Sequence, residues 1–483
     1  MKAKKLQDAI GMIGDDLIED AKEIHAKSKY NVLKWIAPVA AVLALVIVAN
    51  FVFDRSPLLP SLSLSAYAAA EAKYPERAQY PNIDDYQNDW DTYSQLHDVW
   101  YDELKEIRTQ YYGYGEGLDD FFKDSAKEFL SDSKGENKVY SPLNVYMALC
   151  MVAETTDTNS RQQILDLFGV KDIDELRKQA NAVWNANYRD DGSVTSILAN
   201  SMWLNETVEY KKNTLDSLAK NYFASSFSGQ MGTDDYNKAL QTWLNEQTGG
   251  LLEEQVEKVE MPSDTVLALA STIYFKASWK SEFREKNNVK ETFHSPNGDV
   301  VCEFMKQGYV RNYYWGEKFS AVEQELQNSG GMWFILPDEG VSLDELLNDA
   351  ETMDFMVSDG DWENKKNLVV NLSVPKFDVV AETDLTEGLK NLGITDVFDS
   401  ESSDFSPLTD NYEGIAISKA QHAARVMIDE EGCVAAAFTV ILEAGSAMPP
   451  KDEVDFTLDR PFILVITSDD GLPLFIGVVN NPI

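Results

Sequence analysis

The chain has 483 residues, of which 44% are hydrophobic and 11% aromatic, enough to build a large core. Its formal net charge of −39 argues against a nucleic-acid partner, because phosphates are bound by clustered Lys and Arg. The three cysteines (Cys150, Cys302, Cys433) lie far apart, and the chain has four histidines without an HExxH or GxSxG motif. These counts exclude a disulfide framework and predict neither a metal site nor a cofactor.

The first predicted element is a membrane-spanning helix. Residues 35–53 carry no charge, and at 1.5 Å per residue they would cover about 28 Å, enough for a hydrocarbon core. Seven lysines precede this run and Arg55 follows it, so residues 1–34 are expected in the cytoplasm and the rest outside. A cleaved signal peptide ending near residues 66–68 is the alternative. We expect an uncleaved single-pass anchor.

Two amphipathic helices are predicted on either side of this anchor. One is a short helix within the cytoplasmic segment 1–34. The other lies in the extracytoplasmic segment 54–117, where aromatic and aliphatic residues recur three or four apart between Tyr86 and Tyr111. This second helix either packs on the following domain, serves as a spacer, or forms a separate binding module. The pattern does not distinguish these roles.

The remaining residues, 118–483, form one large predicted domain. Its early part is rich in helical patterns, beginning with a helix over 120–130. Its later part is rich in apolar runs that are typical of buried strands, at 271–275, 332–336, 369–374, 462–467 and 474–479. Helices followed by strands indicate an α+β class rather than regular βαβ alternation.

An acidic turn leads into small residues near the C-terminus of this domain. Residues 429–437 read Asp-Glu-Glu-Gly-Cys-Val-Ala-Ala-Ala. Gly432 supplies backbone freedom, and alanines can enter an existing sheet without overpacking it. This composition indicates a strand that is exposed at one time and buried at another.

The domain resembles the serpin family over its whole length. Motifs similar to the family's occur in the family's order at 139–145, 243–250, 268–279, 334–340, 374–377, 392–398, 417–422, 459–463 and 473–477. Within these motifs, two positions depart from the family's pattern: Asn144 stands where a serine is usual, and Ser271 replaces an asparagine. The resemblance implies a serpin fold, with helices around three β-sheets and an exposed reactive-centre loop. It also implies that residues 429–437 are the hinge of that loop.

The resemblance further implies suicide inhibition of a serine protease rather than catalysis. The protease would form an acyl-enzyme on the loop, and the cut loop would enter the main sheet as a new strand. Glu430 and Glu431 would keep the loop base solvated, and Gly432 would bend. The small hinge residues Cys433, Ala435, Ala436 and Ala437 follow. The alternate side chains that would face the core after insertion are those of Cys433, Ala435, Ala437 and Thr439. Cys433 replaces the usual Thr or Ser.

The family's register places the cleaved bond between Ser446 and Ala447, with Ala444, Ala447 and Met448 as competing positions. Residues 440–448 contain no Arg or Lys, so trypsin-like proteases lack an anchor. Small residues favour an elastase-like target, with subtilisin-like or cysteine proteases as alternatives. The expected molecule is a monomeric inhibitor on a bacterial cell surface, anchored by one N-terminal helix.

Two rival functions remain open at this stage. One is a non-inhibitory serpin that acts as a binding or scaffold protein. The other is a membrane-anchored hydrolase whose nucleophile is Ser141 or Ser446 and whose base is His294 or His422. In the serpin interpretation, His422 serves structure or gating instead of catalysis.

Overall fold

The computed structural model describes residues 64–87, 89–411, 413–418, 420–433 and 452–483. All of them belong to one compact unit. The predicted anchor at 35–53 and the segment 1–34 lie outside these residues. Among the helices that are described, none has the length and apolar content needed to cross a membrane.

Helices dominate the first half of the described chain. Their bounds are α1 (Trp90–Tyr111), α2 (Asp119–Leu130), α3 (Pro142–Thr155), α4 (Thr158–Leu167), α5 (Ile173–Asn187), α6 (Lys212–Asn221), α7 (Asp234–Gln247), α8 (Glu253–Val256), α9 (Leu343–Leu347), α10 (Ala350–Met356) and α11 (Thr386–Asn391). Short 3-10 turns lie at Leu64–Ala66, Ile83–Tyr86, Glu285–Asn287 and Asp396–Phe398. The predicted helix over 120–130 is confirmed as α2.

Two residues, Ser141 and Pro142, fix the N-terminus of the central helix α3. The Ser141 hydroxyl caps it by accepting from the Asn144 backbone N–H at 3.1 Å, and Pro142 occupies the first helical position. The helix carries apolar residues on all sides and is buried along almost its whole length. It therefore forms the core against which the sheets pack.

Strands fill most of the second half. Their bounds are β1 (Ala68–Ala70), β2 (Lys138–Tyr140), β3 (Arg189–Asp190), β4 (Val194–Asn205), β5 (Ala224–Gly229), β6 (Leu267–Ser278), β7 (Val289–Ser295), β8 (Gly298–Trp315), β9 (Phe319–Glu325), β10 (Gly331–Pro337), β11 (Lys365–Pro375), β12 (Phe377–Asp384), β13 (Gln421–Ile428), β14 (Gly432–Cys433), β15 (Glu453–Thr457), β16 (Phe462–Thr467) and β17 (Pro473–Val479). All five predicted strands fall within these bounds and are confirmed.

Within the part of the chain that the structure describes, the strands form two hydrogen-bonded sheets. The main sheet has the order β1-β5-β4-β6-β14-β13-β12, with β3 paired to β4. The second sheet has the order β15-β11-β8-β9-β10-β16-β17-β2, with β7 paired to β8. Three sheets were expected. The 18-residue strand β8 joins two of them, because it pairs with β7 and β11 along much of its length and with β9 at its end.

The segment before the domain is built into the same unit. Strand β1 extends the main sheet by pairing with its edge strand β5. The ring of Tyr74 contacts those of Trp184 and Tyr188, with centroids 5.1 and 5.4 Å apart. Helix α1 packs against α5, and Arg108 near its end makes a bidentate pair with Asp469. The segment thus covers one edge of the main sheet and the helix beside it.

Candidate functional site

The acidic turn links β13 to β14 through its own side chain. The Asp429 carboxylate accepts the backbone N–H groups of Glu431 at 2.9 Å and Gly432 at 3.1 Å. The Asp429 N–H in turn donates to the Gly432 carbonyl at 3.1 Å. An aspartate that bonds the backbone two and three residues ahead closes a tight turn. The chain therefore reverses here and re-enters the main sheet.

Strand β14 lies between β6 and β13. Gly432 pairs with Ser278 of β6, and Cys433 pairs with Ala277 of β6 on one side and with Ile428 of β13 on the other. Within the described residues, β6 and β13 are not hydrogen-bonded to each other directly. The two hinge residues therefore begin a new central strand of the main sheet.

Gly432 is required here for space as well as for bending. A Cβ atom at this position would lie 2.3 Å from the Ala277 carbonyl oxygen and 2.8 Å from the Ser278 Cα. Both are backbone atoms of β6, so they could not move away cheaply. Only glycine lets the hinge approach β6 this closely.

Cys433 is buried, only 2% exposed, at the position where alternation places a side chain toward the core. Burial, with a smaller contribution from the Asp429 carboxylate, raises the pKa of its thiol to about 12. The thiol is therefore neutral at ordinary pH and behaves as a small apolar side chain.

Glu430 does not keep the loop base solvated, as the sequence had suggested. Its carboxylate forms an ion pair with Lys376 at 2.6 Å and accepts from the Asn288 side-chain amide. Its side chain is 17% exposed, whereas Glu431 is exposed. Burial acts to raise the pKa of Glu430, but the bonds from Lys376 and Asn288 outweigh it and the net pKa is lowered. Glu430 is thus an anchor of the turn.

Backbone bonds hold the same turn against the end of β6. The Trp279 N–H donates to the Glu431 carbonyl at 2.9 Å, and its indole N–H donates to the Asp429 carbonyl at 2.8 Å. The Phe283 N–H donates to the Glu430 carbonyl at 3.0 Å. The sequence predicted no role for Trp279, Lys376 or Asn288. Trp279 and Lys376 do lie in the motifs at 268–279 and 374–377, which was the one available signal.

Ser141 and His422 are close together, but not as a nucleophile and its base. His422 Nε2 accepts the Ser141 backbone N–H at 3.0 Å, while the Ser141 hydroxyl serves as the cap of α3. Both residues are buried, Ser141 completely, so a substrate has no access. Burial lowers the pKa of His422 to about 4, which keeps the imidazole neutral and able to accept. The pair supports the fold rather than hydrolysis.

The other predicted site residues lie outside the described residues: Ala435, Ala436, Ala437, Thr439, Ala444, Ser446, Ala447 and Met448. The described chain resumes at residue 452, and β15 then pairs in parallel with β11. The segment 434–451 therefore runs from the main sheet to the second sheet. No group of three or more His, Cys, Asp or Glu able to hold a metal ion occurs among the described residues.

Comparison with known proteins agrees with this architecture. A family model described as "Serpin (serine protease inhibitor)" matches residues 116–482. Serpin-ZX of Arabidopsis thaliana is 28% identical over 377 residues, covering 73% of this chain and 93% of the relative. The leukocyte elastase inhibitor of Homo sapiens is 27% identical over 365 residues, covering 73% and 95%.

Solved structures show the same fold. The thermophilic serpin tengpin in its native state superposes with a TM-score of 0.67 at 24% identity, covering 76% of this chain and 94% of that one. An Arabidopsis serpin, AtSerpin1, in its native stressed conformation gives 0.65, also at 24% identity, covering 76% and 98%. Family membership supports protease inhibition in general. With its family model matched over most of its length, the chain belongs to the serpin family.

Proposed function

We propose that the protein is a suicide-substrate inhibitor of serine proteases, most suited to elastase-like targets. The observation that carries this proposal is strand β14, because Gly432 and Cys433 already occupy the first positions of a strand between β6 and β13. A protease that cuts the following loop would release it to continue along the same path. The covalently attached protease would then be carried down the sheet before it could deacylate.

The path for the loop lies between β6 and β13, and β13 has 8 residues, about 26 Å at 3.3 Å per residue. Strand β6 and its neighbour β4 each have 12 residues, about 40 Å at 3.3 Å per residue. The fourteen residues 433–446 would extend over roughly 46 Å. The loop up to Ser446 is thus somewhat longer than β6, so it could run the full length of that strand, and Ser446–Ala447 stays the proposed reactive bond.

The proposed target follows from the loop's small side chains. Segment 440–448 has no Arg or Lys, so it offers nothing to a pocket that selects a positive charge. Ser446 suits a shallow pocket. The similarity to a relative named as a leukocyte elastase inhibitor is compatible with this class, but it extends over the whole domain rather than the loop alone. We further propose that residues 35–53 anchor the inhibitor at a cell surface with its domain outside.

The test is to mix the full-length chain, in mild detergent, with pancreatic elastase, trypsin or subtilisin and to analyse the products on denaturing gels and by mass spectrometry. A boiling-resistant complex with elastase and cleavage after Ser446 are expected. Ser446→Arg should transfer complex formation from elastase to trypsin. Clean cleavage by all three proteases without a complex would identify a non-inhibitory serpin and would overturn the proposal.

A hinge variant tests the mechanism separately from the target. Cys433→Glu places a carboxylate at a buried position of β14, where an unpaired charge is costly. This variant should be cut by elastase at the same bond without forming the complex. The control is Glu431→Gln, one position before Gly432 on the exposed side of the turn, which should trap elastase as the parent chain does.

A further inference from the structure

A cavity of about 170 Å³ lies at the end of β6. Its walls come from the segment before α1, the turn between β3 and β4, the end of β6 with the residues that follow it, and the turn between β9 and β10. The polar side chains that line it are those of Tyr80, Ser193, Thr195, Lys276, Glu282 and Gln327. The cavity is thus a polar site built from parts of the chain that are far apart in sequence.

Backbone hydrogen bonds hold these walls together. The Tyr80 N–H donates to the Asp191 carbonyl at 2.7 Å, which joins the segment before α1 to the turn between β3 and β4. The Gln327 N–H donates to the Ser278 carbonyl at 2.8 Å, which joins the turn between β9 and β10 to β6. The cavity is therefore preformed, so a ligand would not have to order its walls on binding.

Lys276 and Glu282 bring opposite charges to this cavity without neutralising each other. Both side chains are half-buried, and within the described residues neither forms an ion pair or a side-chain hydrogen bond. Burial raises the pKa of Glu282, and repulsion from the Glu431 carboxylate adds to that rise. A partly buried charge without a partner is unfavourable, so each group would be stabilised by a ligand that carries the opposite charge.

A zwitterion matches this pair of charges. Its carboxylate can accept from the Lys276 ammonium group, and its own ammonium group can donate to the Glu282 carboxylate, which gives two charge-assisted hydrogen bonds. The volume limits the size of the ligand. Since a cavity of about 150 Å³ holds benzene, a cavity of this volume admits roughly six to eight non-hydrogen atoms. Small free amino acids such as alanine and serine fall in this range.

We propose that the cavity binds a small free amino acid as its zwitterion, with Lys276 holding the carboxylate and Glu282 holding the ammonium group. The hydroxyls of Ser193 and Thr195 supply further polar contacts around the ligand. Tyr80 closes the cavity on the side of the N-terminal segment, so the complete site exists only while that segment is docked on the domain.

The experiment is isothermal titration calorimetry of the uncut full-length chain, in mild detergent, with L-alanine and L-serine. Because no protease is present, the result does not depend on the proposed inhibition. Saturable binding at one site is expected, with a Kd of about 1 mM or tighter for a ligand of this size. No heat of binding for either amino acid at about 10 mM would overturn the proposal.

Two matched ligands test whether both charges are needed. Lactate has a hydroxyl in place of the ammonium group of alanine, and ethanolamine is serine without its carboxylate. Each should bind at least about tenfold more weakly than the amino acid that it resembles, because each loses one charge-assisted bond. Lactate binding as tightly as alanine, or ethanolamine as tightly as serine, would contradict a zwitterion site.

Variants test the two residues. Lys276→Gln and Glu282→Gln should each weaken alanine binding by at least about tenfold. The controls, Lys280→Gln and Glu285→Gln, remove the same kinds of charge outside the cavity: Lys280 is exposed and pairs with Glu325 at 2.7 Å, and Glu285 is exposed. Both controls should bind alanine as the parent does, and urea unfolding verifies that every variant is folded. Parent-like binding by folded Lys276→Gln and Glu282→Gln, or an equal loss in the controls, would sink the assignment.

Discussion

Glu430 lies in the turn between β13 and β14, and a neighbouring lysine neutralises its charge. Lys376 lies 2.6 Å away, and Glu303 is a second, more distant partner of the same lysine at 3.8 Å. Burial acts to lower the pKa of Lys376, but its bond to Glu430 outweighs this and the net pKa is raised. Each partner favours the charged form of the other, so the pair fastens the turn to the start of β12.

Glu430→Gln should destabilise the uncut protein by about 1–2 kcal/mol, because it leaves the partly buried Lys376 without its main counter-charge. Glu431→Gln, exposed on the same turn, should change stability by less than about 0.5 kcal/mol. Urea unfolding at pH 7 compares the two variants. Equal effects would mean that the ion pair contributes nothing to the hinge.

The lowered pKa of His422 should make the stability of the protein depend on pH. Its pKa falls from 6.5 to about 4 on folding, so between these values the unfolded chain binds a proton that the folded chain does not. The contribution of His422 to the free energy of unfolding is fully present above about pH 6.5. It decreases as the pH falls toward 4, and the total loss is roughly 3 kcal/mol.

The check on His422 is to measure unfolding between pH 7 and pH 4.5 for the parent chain and for His422→Gln. Glutamine can accept the Ser141 N–H but does not titrate. The variant should therefore lose less stability on acidification than the parent. The carboxylates contribute equally to both chains, so parallel pH profiles would remove His422 as the cause.

At the scale of elements, helix α1 is fastened to the serpin domain by one buried face. Trp100, Leu104 and Ile107 are buried on that face, and the Trp100 indole N–H donates to Asp191 at 3.0 Å. Asp191 also forms a buried ion pair with Arg189. The amphipathic period seen in the sequence thus corresponds to a real packing face, as an interaction with the domain requires.

Trp100→Ala should destabilise the protein by about 3–5 kcal/mol, because it removes a buried indole and leaves a cavity. Val99→Ala is the matched control: Val99 is the preceding residue of α1 and is 61% exposed, so its truncation should cost less than about 0.5 kcal/mol. Urea unfolding measures the difference, and hydrogen exchange of α1 shows whether the helix detaches. Similar results for both variants would indicate a spacer that does not stabilise the domain.

At the scale of the whole molecule, the segment 434–451 connects β14 of the main sheet to β15 of the second sheet. Strand β15 is paired along its length with β11, and the described part of β14, Gly432–Cys433, lies between strands of 12 and 8 residues. In the proposed mechanism, the released loop continues β14 between β6 and β13 and adds hydrogen bonds to the main sheet. Cleavage of the loop should therefore lead to its insertion into the main sheet and to a more stable protein.

Limited cleavage within 434–451, by a protease that is not trapped, should raise the midpoint of thermal unfolding. Insertion would add about fourteen backbone hydrogen bonds, each contributing about 1 kcal/mol to stability. For a chain of this length, each kcal/mol raises the unfolding midpoint by roughly 1–2 °C, so the expected rise is about 20 °C. Mass spectrometry locates the cut, and calorimetry compares the cut and intact chains. After the same cleavage, the Cys433→Glu variant should show a much smaller rise in its unfolding midpoint. An unchanged midpoint in the cut parent would mean that the loop does not insert.

The sequence by itself determined the features that depend on neighbours a few residues apart. Helix α2, the five apolar strands and the amphipathic period of α1 follow from hydrophobic spacing, which is a local property. The turn at Asp429 and Gly432 likewise follows from adjacent residues, and the ordered motifs were sufficient to identify the family.

Only the tertiary structure decided which distant residues meet. Glu430 and Asn288 are 142 positions apart, and Asn144 and Ser271 are 127 apart. No periodicity links such pairs, so the sequence left Glu430 as a solvated charge and predicted no contact between Asn144 and Ser271. The merging of three expected sheets into two had the same origin, since strand pairing along β8 depends on partners far along the chain. Local pattern sets each element, whereas the packing of elements assigns each side chain its partner.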